Sequence, residues 1–167
     1  MSSGKTIEAR ARQSHLHNML YREATLADVP GVAQVRAGDW ESEEYWRERI
    51  ALYLTGQLHP QKALAPRVAF VSIDDNLVAG FIAGHLTQRF GCDGELEWIS
   101  IRPQYRRRGV ASSLLRRLAG WFRDQGAGRI CVDVEPSNVN ARAFYSAHGA
   151  VDLKPHWMVW EDIRKLS

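Results

Sequence analysis

A run of basic and small residues near the middle of the chain could bind an anion. The ten residues from Pro103 to Ser112 read PQYRRRGVAS, after an apolar stretch and before a pattern typical of an amphipathic helix. The first backbone N–H groups of a helix have no partner within it, and the helix dipole places partial positive charge there. Gly109 allows a tight turn and a close approach of a ligand to the backbone, and Ala111 is small enough to allow the same. The run therefore predicts a phosphate or pyrophosphate site.

The same run allows one other interpretation and excludes several known motifs. Arg106, Arg107 and Arg108 could form a solvated surface run, with Gly109 serving only the turn. The run is not a P-loop, because no Gly-Lys-Ser/Thr follows, and it lacks the three spaced glycines of a dinucleotide-binding fold. A nucleic-acid-binding module is not expected, because Tyr105 is the sole aromatic residue beside this short basic run.

Two glutamates, Glu95 and Glu97, could do acid–base chemistry. They lie in a stretch that reads as a central strand covered on both faces. A buried carboxylate is costly unless it is paired or hydrated, and burial raises its pKa and makes it a better base. In a regular strand both side chains point to one face, whereas a bulge would separate them. The alternatives are an ion pair with an arginine such as Arg102, or a place where the strands part and solvent enters.

The cysteines and histidines indicate no further chemistry. Cys92 and Cys131 form no CxxC pair and no Cys/His set at zinc spacing, so we predict no metal site and no covalent cysteine step. His85 lies within a predicted strand and His148 near a helix end, where structural histidines are the ordinary interpretation.

The composition indicates a single globular domain. The 167 residues carry 22 Lys and Arg against 19 Asp and Glu, and 45% are hydrophobic. This excludes a mainly disordered chain, and no apolar run approaches the roughly 18 residues needed to span a bilayer. The N-terminus lacks the apolar core of a secretory signal. We therefore expect a flexible tail over 1–19, a domain over 20–167, a cytoplasmic location, and neither a nucleic-acid nor a membrane partner.

Hydrophobic periodicity and turn residues predict the elements that position these side chains. The order is β-α-α-β-β-β-α-β-α-β-β. The predicted strands are Tyr21–Ala24, Val68–Ile73, Leu77–Thr87, Glu95–Ile101, Arg129–Val134, Val151–Leu153 and Trp157–Trp160. The first predicted helix begins after Asp28. The other three cover Ser42–Thr55, Val110–Gln125 and Asn138–His148. The strand–helix–strand unit over 95–134 implies parallel pairing with a right-handed crossover, within a mixed sheet that has helices on its faces.

Two motifs resemble those of the GNAT superfamily of N-acetyltransferases. Arg106-x-x-Gly109-x-Ala111, entered from the strand that ends before Pro103, resembles the acyl-CoA loop of that family. The block that begins at Asn138 and places Tyr145 seven residues later resembles its second motif. The resemblance covers about residues 20–160, and alanine at 111 is an accepted variant of a common glycine.

The resemblance implies an α/β (mixed α+β) fold, in which a splayed mixed sheet of about seven strands is flanked by about four helices. Acetyl-CoA would lie where strands 95–101 and 129–134 part, and no metal is implied. Three groups of residues would bind it: the loop residues Arg106, Arg107, Arg108, Gly109, Val110, Ala111 and Ser112; the strand residues Ile99, Ser100 and Ile101; and Asn138 with Tyr145.

The resemblance also implies residue roles. Family members use a glutamate at either strand position as the base; we favour Glu97 over Glu95, and a site that uses neither stays open. Tyr145 would protonate the leaving thiolate, unless it is only a core residue. The acceptor pocket would include Trp40, Tyr45 and Trp46, although aromatic residues at a helix start also pack inward.

The resemblance finally implies an activity. The expected enzyme transfers an acetyl group from acetyl-CoA directly to a primary amine, of a small molecule in the first instance. The alternatives are a protein or peptide N-acetyltransferase and a non-catalytic acyl-CoA-binding regulatory domain. The oligomeric state stays open, with a homodimer as one possibility.

Overall fold

The computed structural model describes residues 19–38, 41–60 and 62–166. Within these residues the chain forms one sheet of seven strands and four α-helices. The strands are β1 (Leu20–Glu23), β2 (Ala63–Asp74), β3 (Leu77–Thr87), β4 (Gly94–Ile101), β5 (Ile130–Asp133), β6 (Val151–Lys154) and β7 (Trp157–Trp160). The helices are α1 (Val29–Arg36), α2 (Glu43–Leu54), α3 (Val110–Asp124) and α4 (Val139–Ala147). The predicted fold class and element order are confirmed.

The sheet is mixed, with the strand order β1-β2-β3-β4-β5-β7-β6. Strands β4 and β5 are parallel, and every other pair is antiparallel. The parallel pair is the predicted one, because α3 must carry the chain back across the sheet before β5 can begin.

The parallel strands separate after a short contact. Gly94 to Leu96 pair with Ile130 to Val132, and no further pairs follow in the described part of the two strands. Strand β4 continues to Ile101 while β5 stays beside β7, where the Val134 N–H still donates to the His156 carbonyl. The separation leaves a gap between the carboxyl ends of β4 and β5, as the splayed sheet was predicted to have.

The helices cover both faces of the sheet. On one face, α3 buries an apolar stripe that includes Leu114, Leu118 and Phe122 against the central strands. On the other face, α1 and α2 pack a second cluster that includes Trp46 and Tyr53. Helix α2 begins where predicted, because Ser42 Oγ accepts the Tyr45 N–H at 3.1 Å.

Strand β2 begins earlier than predicted. It begins at Ala63, five residues before the predicted Val68. The early start was missed because Pro66 interrupts the apolar pattern. The strand accommodates this proline through a register irregularity between Leu64 and Arg67. The predicted tail lies outside the described residues apart from Met19. Within the described ranges, no helix combines the length and the apolar character needed to cross a bilayer.

Candidate active site

The two glutamates lie at a bulge in β4, beside the gap. In the register with β3, Ala83 opposes Trp98 and Gly84 opposes Leu96, so Glu97 is an extra residue. Gly84 permits the close pairing here, because a Cβ at this position would lie 3.0 Å from the Glu95 carbonyl oxygen. The expectation that a bulge would separate the two carboxyl groups is wrong, because an oxygen of each lies within 4.8 Å of the other.

Packing explains why both carboxyl groups lie on one side of the sheet. Leu96 packs in the cluster under α3, whereas Trp98 packs in the cluster under α1 and α2. The residue inserted between them, Glu97, stays on the α2 side with Glu95 and His85; a ligand atom from each of these three side chains lies within 4.8 Å of the others. The bulge thus adds a second carboxyl group on that side instead of moving one away.

Glu95 is held by a buried polar network. Its side chain is almost fully covered; Oε2 lies 3.2 Å from His85 Nε2 and Oε1 lies 3.0 Å from Arg89 Nε. Both distances are within the range of ion pairs, but neither contact has the alignment of a hydrogen bond. His85 Nδ1 is 2.9 Å from the Tyr53 hydroxyl, and the Cys131 thiol lies 3.9 Å from Glu95 Oε1. The expected pairing with Arg102 is replaced by one with Arg89.

The surroundings shift the pKa values of Glu97, Glu95 and His85 in different directions. Burial, followed by the neighbouring Glu95 carboxyl group, raises the pKa of Glu97 to about 7. Burial also raises the pKa of Glu95, while Glu97 and the Arg89 guanidinium oppose that rise. Burial lowers the pKa of His85 to about 4, so this ring is neutral at pH 7. Glu97 is therefore the half-buried carboxyl group that can exchange a proton near neutral pH.

The same three side chains have ligand types that a metal ion accepts. Among the described residues, His85, Glu95 and Glu97 form the one group of potential ligands close enough together. Arg89 already contacts Glu95, and Tyr53 already contacts His85. The prediction that no metal binds here stays a prediction.

Tyr145 lies on α4, in the core cluster shared with β5 and β7. It is 5% exposed, and its ring meets Trp160 edge to face at 5.6 Å. Burial raises the pKa of Tyr145 to about 12, and Arg36 lowers it. Within the described chain, its hydroxyl donates to no other residue, so this O–H remains available to a ligand. Core packing and a proton-donating role are compatible here.

Asn138 is the N-cap of α4. Its Oδ1 accepts the Ala141 N–H at 3.1 Å, and the residue is exposed. This contact explains why an asparagine begins the helix. Its predicted contact with the pantetheine arm stays a prediction.

The arginine-rich loop has the geometry predicted for an anion site. Gly109 is the N-cap of α3 with φ +79°, and no described atom would lie within 4 Å of a Cβ there. The helix's backbone bonding begins with the Ser113 N–H donating to the Gly109 carbonyl. The N–H groups of Val110, Ala111 and Ser112 precede that bond and therefore lie at the open, positive end of the helix dipole.

Two of the loop arginines are anchored locally. Arg106 Nε donates to the Ile101 carbonyl at 3.2 Å, and the Arg108 guanidinium lies 5.8 Å from the centre of the Tyr105 ring. Arg107 is exposed, with φ +60°. The loop thus combines oriented backbone donors with exposed positive charge.

Ile99, Ser100 and Ile101 follow the bulge at the edge of the gap. They are half-buried and pair with β3 on one side. On the side of β5, the described pairing has already ended at Leu96. Their backbone can therefore pair with an extended ligand as an added strand would.

The predicted acceptor residues differ in their surroundings. Trp46 is 1% exposed and packs edge to face on Trp98 at 5.8 Å, so it supports the site from within the core. Tyr45 is half-buried, and an acceptor contact there stays a prediction. Trp40 lies outside the described residues.

Arg36, at the end of α1, was not predicted as a site residue. Its Nη1 donates to Ser100 Oγ at 3.1 Å, and its guanidinium lies 4.8 Å from the centre of the Trp46 ring. It is close enough to Glu97 and Tyr145 for both to affect its pKa. The sequence places Arg36 on one side of a helix but carries no signal for a contact with a strand 64 residues later.

Comparisons with known proteins show similarities in sequence and in fold. A model of the acetyltransferase (GNAT) family matches residues 33–150. An aminoglycoside N(6')-acetyltransferase type 1 of Salmonella typhimurium is 28% identical over 87 residues, which cover 48% of this chain and 60% of that relative. The match therefore spans less than two thirds of the curated relative.

Solved structures share the fold at low identity. An acetyltransferase of the GNAT family from Desulfovibrio desulfuricans has a TM-score of 0.70 at 15% identity and covers 87% of this chain and 99% of its own. An aminoglycoside N-acetyltransferase in complex with CoA has a TM-score of 0.69 at 20% identity and covers 82% of this chain and 90% of its own. The PaiA N-acetyltransferase from Thermoplasma acidophilum, solved with coenzyme A, has a TM-score of 0.64 at 16% identity. The match covers 85% of this chain and 96% of that protein.

Proposed function

Since the chain belongs to the acetyltransferase (GNAT) family, we propose that it transfers an acetyl group from acetyl-CoA directly to a primary amine of a small molecule. The observation that carries this proposal is the pair of groups beside the gap. Glu97 titrates near neutral pH, whereas Tyr145 keeps its proton far above it. A base and an acid of these strengths are what amide formation from a thioester requires.

Acetyl-CoA would bind along the gap, through backbone groups that the described chain leaves unpaired. Its pyrophosphate would bind the N–H groups that begin α3, where Gly109 leaves room for it and the loop arginines add charge. Its pantetheine arm would pair with the backbone of Ile99 to Ile101. The thioester would then lie between β4 and α4, near Glu97 and Tyr145.

Glu97 would activate the acceptor. An amine enters as an ammonium ion, and its nitrogen can attack only after losing a proton to the Glu97 carboxylate. The new C–N bond forms as the carbonyl π electrons move to oxygen, and a backbone N–H near Ile99 would donate to that oxyanion. The buried network holds the Glu95 carboxyl group against His85 and Arg89. Glu97 would therefore be the carboxylate that receives the proton.

Tyr145 would complete the transfer. When the C–S bond breaks, its electron pair goes to sulfur, and the Tyr145 hydroxyl gives its proton to the thiolate. A hydroxyl with a pKa of about 12 is fully protonated at neutral pH, which is the state a proton donor needs. The amide nitrogen and the Glu97 carboxyl group then each release a proton to solvent, and the phenolate takes one back. The products are the neutral amide, CoA and one net proton.

A small-molecule acceptor is favoured by the curated relative, which is named as an acetyltransferase of aminoglycosides. The half-buried Tyr45 and the exposed acidic start of α2 would lie on the acceptor side, where they would suit an amine. A peptide N-terminus would use the same two catalytic groups, so the acceptor class must be tested directly.

The test is a thiol-release assay with acetyl-CoA and four acceptor classes: aminoglycosides, polyamines, amino acids and short peptides. We expect release that depends on a small-molecule amine and is absent without an acceptor. The matched control is Gly109→Glu, which should abolish the signal by preventing cosubstrate binding. Release with peptides alone would contradict a small-molecule acceptor, and binding of CoA without release for any amine would contradict the transferase proposal.

A further inference from the structure

Arg36 presents unused hydrogen-bond donors beside the proposed acceptor site. A guanidinium has five N–H donors, and Arg36 uses one of them on Ser100 Oγ. Its Nε is buried and has no hydrogen-bond partner among the described residues. Nη2 likewise contacts no acceptor in the described part of the chain. These two nitrogens form one edge of the guanidinium, the arrangement that binds a carboxylate with two parallel hydrogen bonds.

The charge of Arg36 is also poorly compensated. The side chain is half-buried against the Trp46 ring, and burial lowers its pKa. No carboxylate is in ion-pair contact with it in the residues described. Glu97 acts on Arg36 from a distance, but no carboxylate of the described chain contacts it. A partly desolvated cation in that position is costly, and a bound anion would lower that cost.

Further arginines surround the proposed base. Arg49 acts on the pKa of Glu97, and Arg89 contacts Glu95 at 3.0 Å. Arg67 lies 5.0 Å from the centre of the Tyr53 ring and acts on His85. Among the charged groups that act on this cluster, four arginines (Arg36, Arg49, Arg67 and Arg89) outnumber the three carboxyl groups of Glu95, Glu97 and Asp133. This excess is unfavourable for an acceptor that carries several positive charges.

We infer that the acceptor carries a carboxylate close to its reactive amine, as an α-amino acid does, and that Arg36 binds this carboxylate. The inference rests on the proposed function, because it places the amine at Glu97. Arg36 is close enough to Glu97 and Tyr145 for both to act on its pKa, so a carboxylate bound to Arg36 would bring a neighbouring amine near both groups. Aminoglycosides, which are polycations, would then be poor acceptors.

The experiment compares acceptors that differ only in the carboxylate. We would measure kcat/KM for L-phenylalanine, L-phenylalaninamide and 2-phenylethylamine, with kanamycin as the polycation, for the wild type and for Arg36→Gln. Charged hydrogen bonds of this kind are worth about 10- to 100-fold in kcat/KM. The wild type should prefer L-phenylalanine by about that factor after correction for the unprotonated amine. Arg36→Gln should abolish this preference and should change the rate for 2-phenylethylamine much less.

Two further variants make the comparison specific. Arg47→Gln removes an exposed arginine of α2 that pairs with Glu43, and it should retain the wild-type preference. Arg36→Lys keeps the positive charge without the planar fork and should retain only part of it. Circular dichroism and calorimetric CoA binding establish that each variant is folded. Should Arg36→Gln fail to fold, Arg36→Lys and the wild-type ratios decide the question.

The outcomes separate the inference from the proposed function. A wild type that acetylates 2-phenylethylamine or kanamycin as well as L-phenylalanine would overturn the carboxylate site and leave the transferase intact. An equal loss for every acceptor in Arg36→Gln would overturn it too, by assigning Arg36 to the acetyl group. CoA binding with no release for any amine would refute the proposed function, and the inference with it.

Discussion

Replacing Glu97 with glutamine should stabilise the protein above neutral pH while it slows catalysis. The pKa of Glu97 rises from 4.5 to about 7 in the folded protein, mainly through burial. Between these values the folded chain retains a proton that the unfolded chain releases, so stability falls as the pH rises through this window. A shift of this size corresponds to about 3 kcal/mol above pH 7. Glutamine cannot ionise, so the variant avoids that loss.

Urea unfolding at pH 5 and pH 8 measures the effect. The free energy of unfolding of Glu97→Gln relative to the wild type should grow by about 2 kcal/mol between these two pH values. Glu95→Gln is the comparison variant, because burial also raises the pKa of Glu95 and the pH-dependent part of its effect has the same sign. Glu95 also lies against Arg89 at 3.0 Å, so its replacement removes an attractive contact and should stabilise the protein at pH 8 less than Glu97→Gln does.

The kinetic half of this prediction uses the same variant. The wild-type pH–rate profile should have an acid limb with an apparent pKa near 7, since Glu97 accepts a proton only when ionised. Glu97→Gln should lose that limb and lower kcat about 100-fold or more, with CoA affinity retained. A stability difference that is equal at pH 5 and pH 8, or an unchanged acid limb, would refute the assignment of Glu97 as the titrating base.

Three further predictions test other parts of the site. Gly109→Glu should abolish CoA binding in calorimetry while circular dichroism stays native, and Gly109→Ala, which adds only backbone strain at φ +79°, should bind more weakly than the wild type but measurably. Tyr145→Phe should lower kcat about 10- to 100-fold at saturating substrates and leave the KM for acetyl-CoA unchanged; equal rates would assign Tyr145 to packing alone, provided that chemistry limits turnover. Arg89→Gln should destabilise the protein by about 3 kcal/mol at pH 8 and by less at pH 4, where Glu95 can be protonated; a loss independent of pH would contradict its role as counterion.

The elements were predictable because each has a local signal. Alternation predicts the strands, the helical repeat of α3 predicts its buried stripe, and Ser42 and Asn138 begin their helices as caps. The start of β2 was missed because Pro66 is a poor strand residue, and only pairing with β3 reveals that the strand continues through it. Local preference thus succeeds until tertiary pairing overrides it.

The site was predictable only where a motif or a local pattern marks it. The loop around Gly109 and the position of Tyr145 follow from such patterns. His85 and Arg36 do not, because their contacts join elements that are distant in the sequence. Alternation along β3 and β4 gives the face of a side chain but not the register, and it was the register that placed His85 opposite Glu95.

The bulge in β4 connects the open edge of the sheet with the placement of the base. Strand β5 last pairs with β4 at Leu96, and the extra residue is the next one, Glu97. A bulge increases local twist, which turns the rest of β4 away from its parallel neighbour. The backbone from Ile99 onward is thereby left to pair with a ligand, and the inserted residue carries the carboxyl group beside that opening. Because Gly84 makes room for the bulge, a residue with no chemistry of its own helps to determine where the proposed base lies.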